Sequence, residues 1–155
     1  MDNLILEKLN ILNKFKNHII VSLRKTELYK SNINLEIINM EGMTGNKTRH
    51  FYNNLCSMND TRYLEIGSWK GSSLCSAMSN NNITCLAIDN WKFLGGPKTD
   101  FIANFNKYKG SNRAYYIEND CWEVDISYIL AISKFNIYMY DGNHDENSHY
   151  KALQH

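Results

Sequence analysis

Apolar residues recur every three or four positions through the first thirty of the chain. Ile5, Leu9, Leu12, Phe15, Ile19 and Leu23 alternate with Lys, Asn and Glu, which is the period of an amphipathic helix or helix pair. The spacing predicts a helical segment from Asp2 to Lys30 packed on a neighbouring surface. A dimerisation element or a cap over a substrate is the other use of such a stripe. Ile33–Met40 fits strand and helix equally well. Glu41-Gly42-Met43-Thr44-Gly45 reads as a flexible joint with two glycines. A helix over Asn46–Met58 follows, with Phe51 and Leu55 on one face, and Asn59-Asp60 ends it.

Beyond Asp60 the period switches back and forth between two and 3.6, as an α/β fold requires. Short apolar runs predict strands at Arg62–Ile66, Ile83–Ile88, Ala114–Glu118 and Asn136–Tyr140. Helical patterns fall between them: Gly71–Ser79, Lys98–Tyr108 with Phe101, Ile102 and Phe105, a stretch with Ile126, Ile129, Leu130 and Ile132, and a last one over Glu146–Gln154. Glycine- and asparagine-rich breaks separate them, including Asn80-Asn81-Asn82 and Lys109-Gly110-Ser111-Asn112. No repeat, linker or low-complexity tract interrupts the pattern. The expectation is one domain over residues 1–155, with a helical extension at 1–58 and a Rossmann-like cofactor-binding half at 59–155.

Composition narrows the choice of partner. The 155 residues are 43% hydrophobic and 21% charged with a net charge of +1, which makes no electrostatic case for nucleic acid or an anionic membrane. No apolar run approaches the roughly eighteen residues of a spanning helix, and Met1-Asp2-Asn3 does not begin a secretion signal. Cys56, Cys75, Cys85 and Cys121 are scattered without metal-like pairing. Reduced thiols in a cytoplasmic protein are expected.

Candidate chemistry starts at Tyr63-Leu64-Glu65-Ile66-Gly67-Ser68-Trp69-Lys70-Gly71-Ser72-Ser73. A buried strand ends in a carboxylate and a glycine, a turn bracketed by Gly67 and Gly71 follows, and a helix begins. Such a turn lets backbone approach a ligand and aims helix N–H groups at it. The pattern is Glu-x-Gly-x-x-x-Gly, and Trp69 stands where a dinucleotide fold would want its second glycine. A close pyrophosphate approach is disfavoured. A carboxylate before the turn suits a ligand with an amino group and no phosphate, and S-adenosylmethionine is such a ligand.

Three more acids, Asp89, Asp120 and Asp141, also sit at or just past strand ends, where an open parallel sheet lines its ligand crevice. One such acid is an ordinary turn former or helix cap; four in register define a site. Asp89 lies about twenty residues past the first glycine, where a carboxylate meets both hydroxyls of an adenosine ribose. Asp120, Cys121 and Trp122 fall where the adenine would lie, and Trp91 is a second candidate for that wall; either Trp could equally be core packing. His144, beside Asp141 at a strand end, could take the proton of an acceptor hydroxyl. His149 lies about one helical turn further on.

These stretches make the chain similar to the class I S-adenosylmethionine-dependent methyltransferases, and among them to the small-molecule and sugar O-methyltransferases whose fourth strand ends in Asp-Gly-Asp-His. Leu-Glu-Ile-Gly-Ser-Trp-Lys-Gly-Ser-Ser resembles the first motif and Ala-Ile-Asp-Asn-Trp the second. Glu-Asn-Asp-Cys-Trp resembles the third in position, and Tyr-Asp-Gly-Asn-His-Asp-Glu-Asn-Ser-His-Tyr the fourth. The resemblance implies a Rossmann-like three-layer sandwich with parallel strands in the order 3-2-1-4. It implies a methionine end held by Glu65, Gly67 and Ser68 within a turn that includes Trp69 and Gly71. Asp89, with Asn90 and Trp91 beside it, would hold the ribose, and Asp120, Cys121 and Trp122 the adenine. Asp141 and His144 would be the catalytic pair.

Asn143 stands where the family often has an acid, so no metal is expected. The family's sheet usually has seven strands and this sequence supplies four, so it is expected to be incomplete on its C-terminal side. The last strand is then an apolar, uncharged edge, and a homodimer that buries it is expected. Two other functions remain open: a cofactor-binding module with impaired catalysis, and an NAD-dependent oxidoreductase, against which Trp69 counts. The acceptor itself is expected to be a small molecule.

Overall fold

The computed structural model describes residues 3–154. Its elements run α1 (Asn3–Glu27), α2 (Leu35–Ile38), α3 (Asn46–Leu55), β1 (Arg62–Ile66), α4 (Ser72–Met78), β2 (Thr84–Asp89), α5 (Lys98–Tyr108), β3 (Arg113–Glu118), a 3-10 turn (Cys121–Glu123), α6 (Ile126–Ile132), β4 (Ile137–Tyr140) and α7 (Glu146–Gln154). The four strands form one parallel sheet in the order β3-β2-β1-β4. Tyr63 pairs with Cys85 on one side and Ile137 on the other, which sets the register of β2, β1 and β4. The architecture is α/β and Rossmann-like.

Alternation along the strands sorts side chains onto two faces. Tyr63, Cys85 and Ala87 point into a core shared with Leu74, Cys75 and Met78 of α4 and Phe101 and Phe105 of α5. Leu64, Ile66, Leu86 and Ile88 point the other way, against Val124 and against Ile129 and Ile132 of α6. Helices therefore cover both faces. Cys56, Cys75 and Cys85 are buried free thiols and Cys121 is a half-buried one.

Two expectations from the N-terminal third change. The segment read as a strand or helix contains the single helical turn α2, capped by Asn34, whose side chain accepts from the Glu36 amide. More substantially, the apolar stripe of α1 stays largely unpacked, with Phe15 half-buried. Ile5, Leu9, Leu12, Ile19 and Leu23 are each 41–63% exposed. The helix sits on α3 through a polar face instead: Ser22 and Thr26 are buried, and His18 Nε2 lies 2.9 Å from the Leu55 carbonyl oxygen. Polar groups are satisfied across the two helices there, the Asn54 amide also reaching Thr26 Oγ1 at 3.4 Å, and periodicity alone carries no information about such contacts. Among the described residues no helix is long and apolar enough to cross a membrane.

Candidate functional site

Parallel strands put their C-terminal ends on one side, and there the chain opens a cavity of about 600 Å³. All the residues singled out by sequence line it except Glu65, Gly71 and His149: Gly67, Ser68, Trp69, Asp89, Asn90, Trp91, Asp120, Cys121, Trp122, Asp141 and His144. The turn after β1 forms its floor. Gly67 has φ +83°, and a Cβ there would lie 2.2 Å from the Asp141 carbonyl oxygen. The Asp141 amide in turn donates to the Ile66 carbonyl at 2.8 Å. Only glycine lets the ends of β1 and β4 approach this closely.

Glu65, expected at the methionine end, does not line the cavity. It has 0% exposure, because it is one residue short of the strand end and shares the inward face with Tyr63. The Tyr63 hydroxyl donates to Oε2 and the Ser68 hydroxyl to Oε1, both at 2.7 Å. Burial pushes the carboxyl up to about 7, against the opposing pull of hydrogen bonds from Tyr63, Ser68 and Ser73. Gly71, also at positive φ, packs on the ring of Phe101 beneath the turn.

Asp89 ends β2. It faces the cavity, but its carboxylate already accepts three backbone N–H groups. Oδ2 takes those of Ser68 at 2.7 Å and Trp69 at 2.9 Å, and Oδ1 takes that of Trp91 at 2.7 Å. A carboxylate has about four lone-pair sites, so these three bonds leave about one for a ligand. Asp89 is a clip joining the turn after β1 to the loop after β2. Trp91 reinforces it: its Nε1 donates to the Trp69 carbonyl at 2.8 Å, and the Trp69 Nε1 donates to the Leu94 carbonyl at 3.0 Å. Trp91 is largely core, tilted against Phe101 with centroids 4.6 Å apart.

The far wall comes from the later strands. Asp120 Oδ1 accepts the Trp122 amide at 3.0 Å and starts the 3-10 turn, which holds Cys121 and Trp122 at the cavity. Burial pushes the Cys121 thiol up to about 11, so it stays neutral. Trp122 lies 6.0 Å from Tyr140, centroid to centroid. At the open end His144 Nε2 is 2.9 Å from Asp141 Oδ1, and the two side chains are 69% and 54% exposed. His149 stands with its ring 5.6 Å from that of His144, which places both on one face.

Sequence reasoning missed part of the wall. Met43 and Thr44 reach the cavity from the N-terminal region, and Phe93 and Leu94 from the loop after β2. Both pairs lie in stretches read only as joint and loop. The signal was there for three of them: Met43, Phe93 and Leu94 are large apolar residues near paired glycines, and they are exposed in the structure. Asn119, Tyr140 and Asn143 also line the site.

The lining contains three aspartates and one histidine and, among the described residues, no lysine or arginine. No group of three His, Cys, Asp or Glu side chains among the described residues is placed to hold a metal ion. No protein-family model matches the chain, and a search of the curated proteins finds no significant relative.

Proposed function

We propose that the chain is an S-adenosylmethionine-dependent methyltransferase of the class I type, acting on a hydroxyl of a small molecule. The observation that carries this reading is the charge of the cleft. It is lined by carboxylates and by no cationic side chain among the described residues, at the carboxyl ends of a parallel sheet in the order β3-β2-β1-β4. Such a lining favours a cationic ligand and offers no counter-charge to phosphates. Its volume falls in the usual range for a ligand of this size.

In this reading Gly67 and Ser68 hold the methionine end. The remaining acceptor site on Asp89, together with Asn90, takes the ribose. Asp120, Cys121 and Trp122 enclose the adenine. The bound cofactor would supply an activated methyl group. The chain's own work is to orient the acceptor and remove its proton. In the neutral tautomer whose Nε2–H donates to Asp141 Oδ1, Nδ1 carries the free lone pair. That nitrogen receives the acceptor proton as the oxygen–methyl bond forms. The protein would act in the cytoplasm and use no metal.

A cofactor-binding module with impaired catalysis is the second reading. The exposure of Asp141 and His144 favours it, because neither is shielded from water. Purified protein should carry S-adenosylmethionine or S-adenosylhomocysteine visible by native mass spectrometry. A panel of hydroxylated acceptors then separates the readings. Methyl transfer that is lost in His144→Ala supports the enzyme, whereas cofactor binding without turnover on any acceptor supports the module.

A further inference from the structure

Arg49 of α3 is a buried cation. It is 3% exposed, and among the described residues no carboxylate pairs with it. Burying an unpaired charge is costly unless dipoles replace its water. Here five backbone carbonyls do so, all from one short stretch. Nη1 donates to the carbonyls of Ile37 at 2.6 Å, Met40 at 2.8 Å and Ile38 at 3.1 Å. Nε donates to Thr44 at 2.8 Å, and Nη2 reaches Gly42 at 3.4 Å. The planar fork of donors thus gathers the chain from the end of α2 to the start of α3 around one point.

That stretch is part of the cleft. Met43 and Thr44 line the cavity. Gly42 lies so close to α4 that a Cβ would sit 2.2 Å from Ser72 Oγ, and Ser72 Oγ donates to Thr44 Oγ1 at 3.2 Å. Lys70, within the turn after β1, pairs with Glu41 at 2.8 Å and with Asp100 at 3.0 Å. The supposed flexible joint is therefore fastened at both ends to the elements that form the cleft floor.

We propose that Arg49 is a positioning residue for ligand binding: it holds residues 41–44 as a strap against α4, so that Met43 and Thr44 complete one wall of the cleft. The choice of probe, though not the strap itself, rests on the methyltransferase reading. Arg49→Met keeps the stem and removes the fork, and Arg49→Lys keeps only the charge. Gly42→Ala keeps the Arg49 side chain, but its Cβ would stand 2.2 Å from Ser72 Oγ and 2.9 Å from Arg49 Nη2, so it pushes the strap off both and serves if Arg49→Met does not fold.

Backbone order parameters for residues 41–44 give the first readout, with no ligand present. They should fall from about 0.85 in the unaltered chain to below about 0.6 in Arg49→Met and Gly42→Ala, while the sheet amides stay unchanged. Arg49→Lys should lie between. Calorimetry with S-adenosylhomocysteine gives the second. Affinity should weaken at least about tenfold in the two loosened variants, with partial rescue by lysine. A strap that stays ordered in both variants overturns the proposal. So does a loosened strap with unchanged affinity. If the unaltered chain does not bind S-adenosylhomocysteine, the cofactor reading falls, and the order parameters alone decide the role of Arg49.

Discussion

The indole N–H of Trp91 donates to the main-chain carbonyl of Trp69 at 2.8 Å, and both tryptophans have φ +46°. Two bulky residues in the left-handed region, tied to each other across adjoining loops, mark a place where backbone strain is held by its surroundings. Trp91→Phe keeps the packing on Phe101 and Tyr116 and removes the bond. It should cost about 1–2 kcal/mol of stability and weaken cofactor binding several-fold. Urea unfolding and calorimetry on the same preparation check this, and unchanged values in both would remove the interlock from the account.

Asp89→Ala tests whether Asp89 is a clip or only a ligand contact. As a clip it accepts the amides of Ser68, Trp69 and Trp91. Its loss should destabilise the ligand-free protein by roughly 2–4 kcal/mol, given 1.5–3 kcal/mol for each charged bond and partial recovery by water. A residue that only held ribose would leave ligand-free stability within about 0.5 kcal/mol. Denaturant midpoints without ligand separate the two.

Glu65 makes stability depend on pH. Its carboxyl is raised in the folded chain from 4.5 to about 7, mainly by burial. The folded state therefore binds the proton more tightly than the unfolded one. The stabilisation is complete below the unfolded pKa and is lost as pH rises through the folded one. Between about pH 5 and 8 the unaltered protein should lose on the order of 2–3 kcal/mol relative to Glu65→Gln. Parallel slopes for the two proteins across that window would contradict the buried position of this carboxyl.

Most of the sheet was legible because strands buried on both faces leave apolar runs between turn residues, and Arg62–Ile66 and Lys98–Tyr108 match their expected bounds. The convergence of Gly67, Asp89, Asp120 and Asp141 was legible for a related reason: strand ends in a parallel sheet share one side. What the residues do there was less so. Nothing in a sequence distinguishes Glu65, one position inside a strand and buried, from Asp141, one position past another and exposed. The clip made by Asp89 depends on backbone amides, which every residue carries. The α1 stripe misled because packing followed Ser22, Thr26 and His18. Arg49 was passed over because its partners are carbonyl groups, which no residue type announces.

β4 is an edge of the sheet, paired on one side with β1; α1 lies on α3 and leaves it uncovered. Its Ile-Tyr-Met-Tyr run has no charge and no proline, and such edges pair with other chains. The expected homodimer should appear in light scattering as a mass that rises with concentration. Tyr138→Lys, a half-exposed edge position, should shift it towards monomer. A constant monomer mass for the unaltered chain would contradict the dimer.

The proposed ligand of the cleft is a phosphate-free, cationic adenosine compound. Calorimetric titration of the 155-residue chain with S-adenosylmethionine, S-adenosylhomocysteine and NAD tests it most directly. The account predicts one-to-one binding of the first two with micromolar dissociation constants, tighter at low salt for the sulfonium, and no measurable heat with NAD. Binding of NAD with neither of the other two would contradict it.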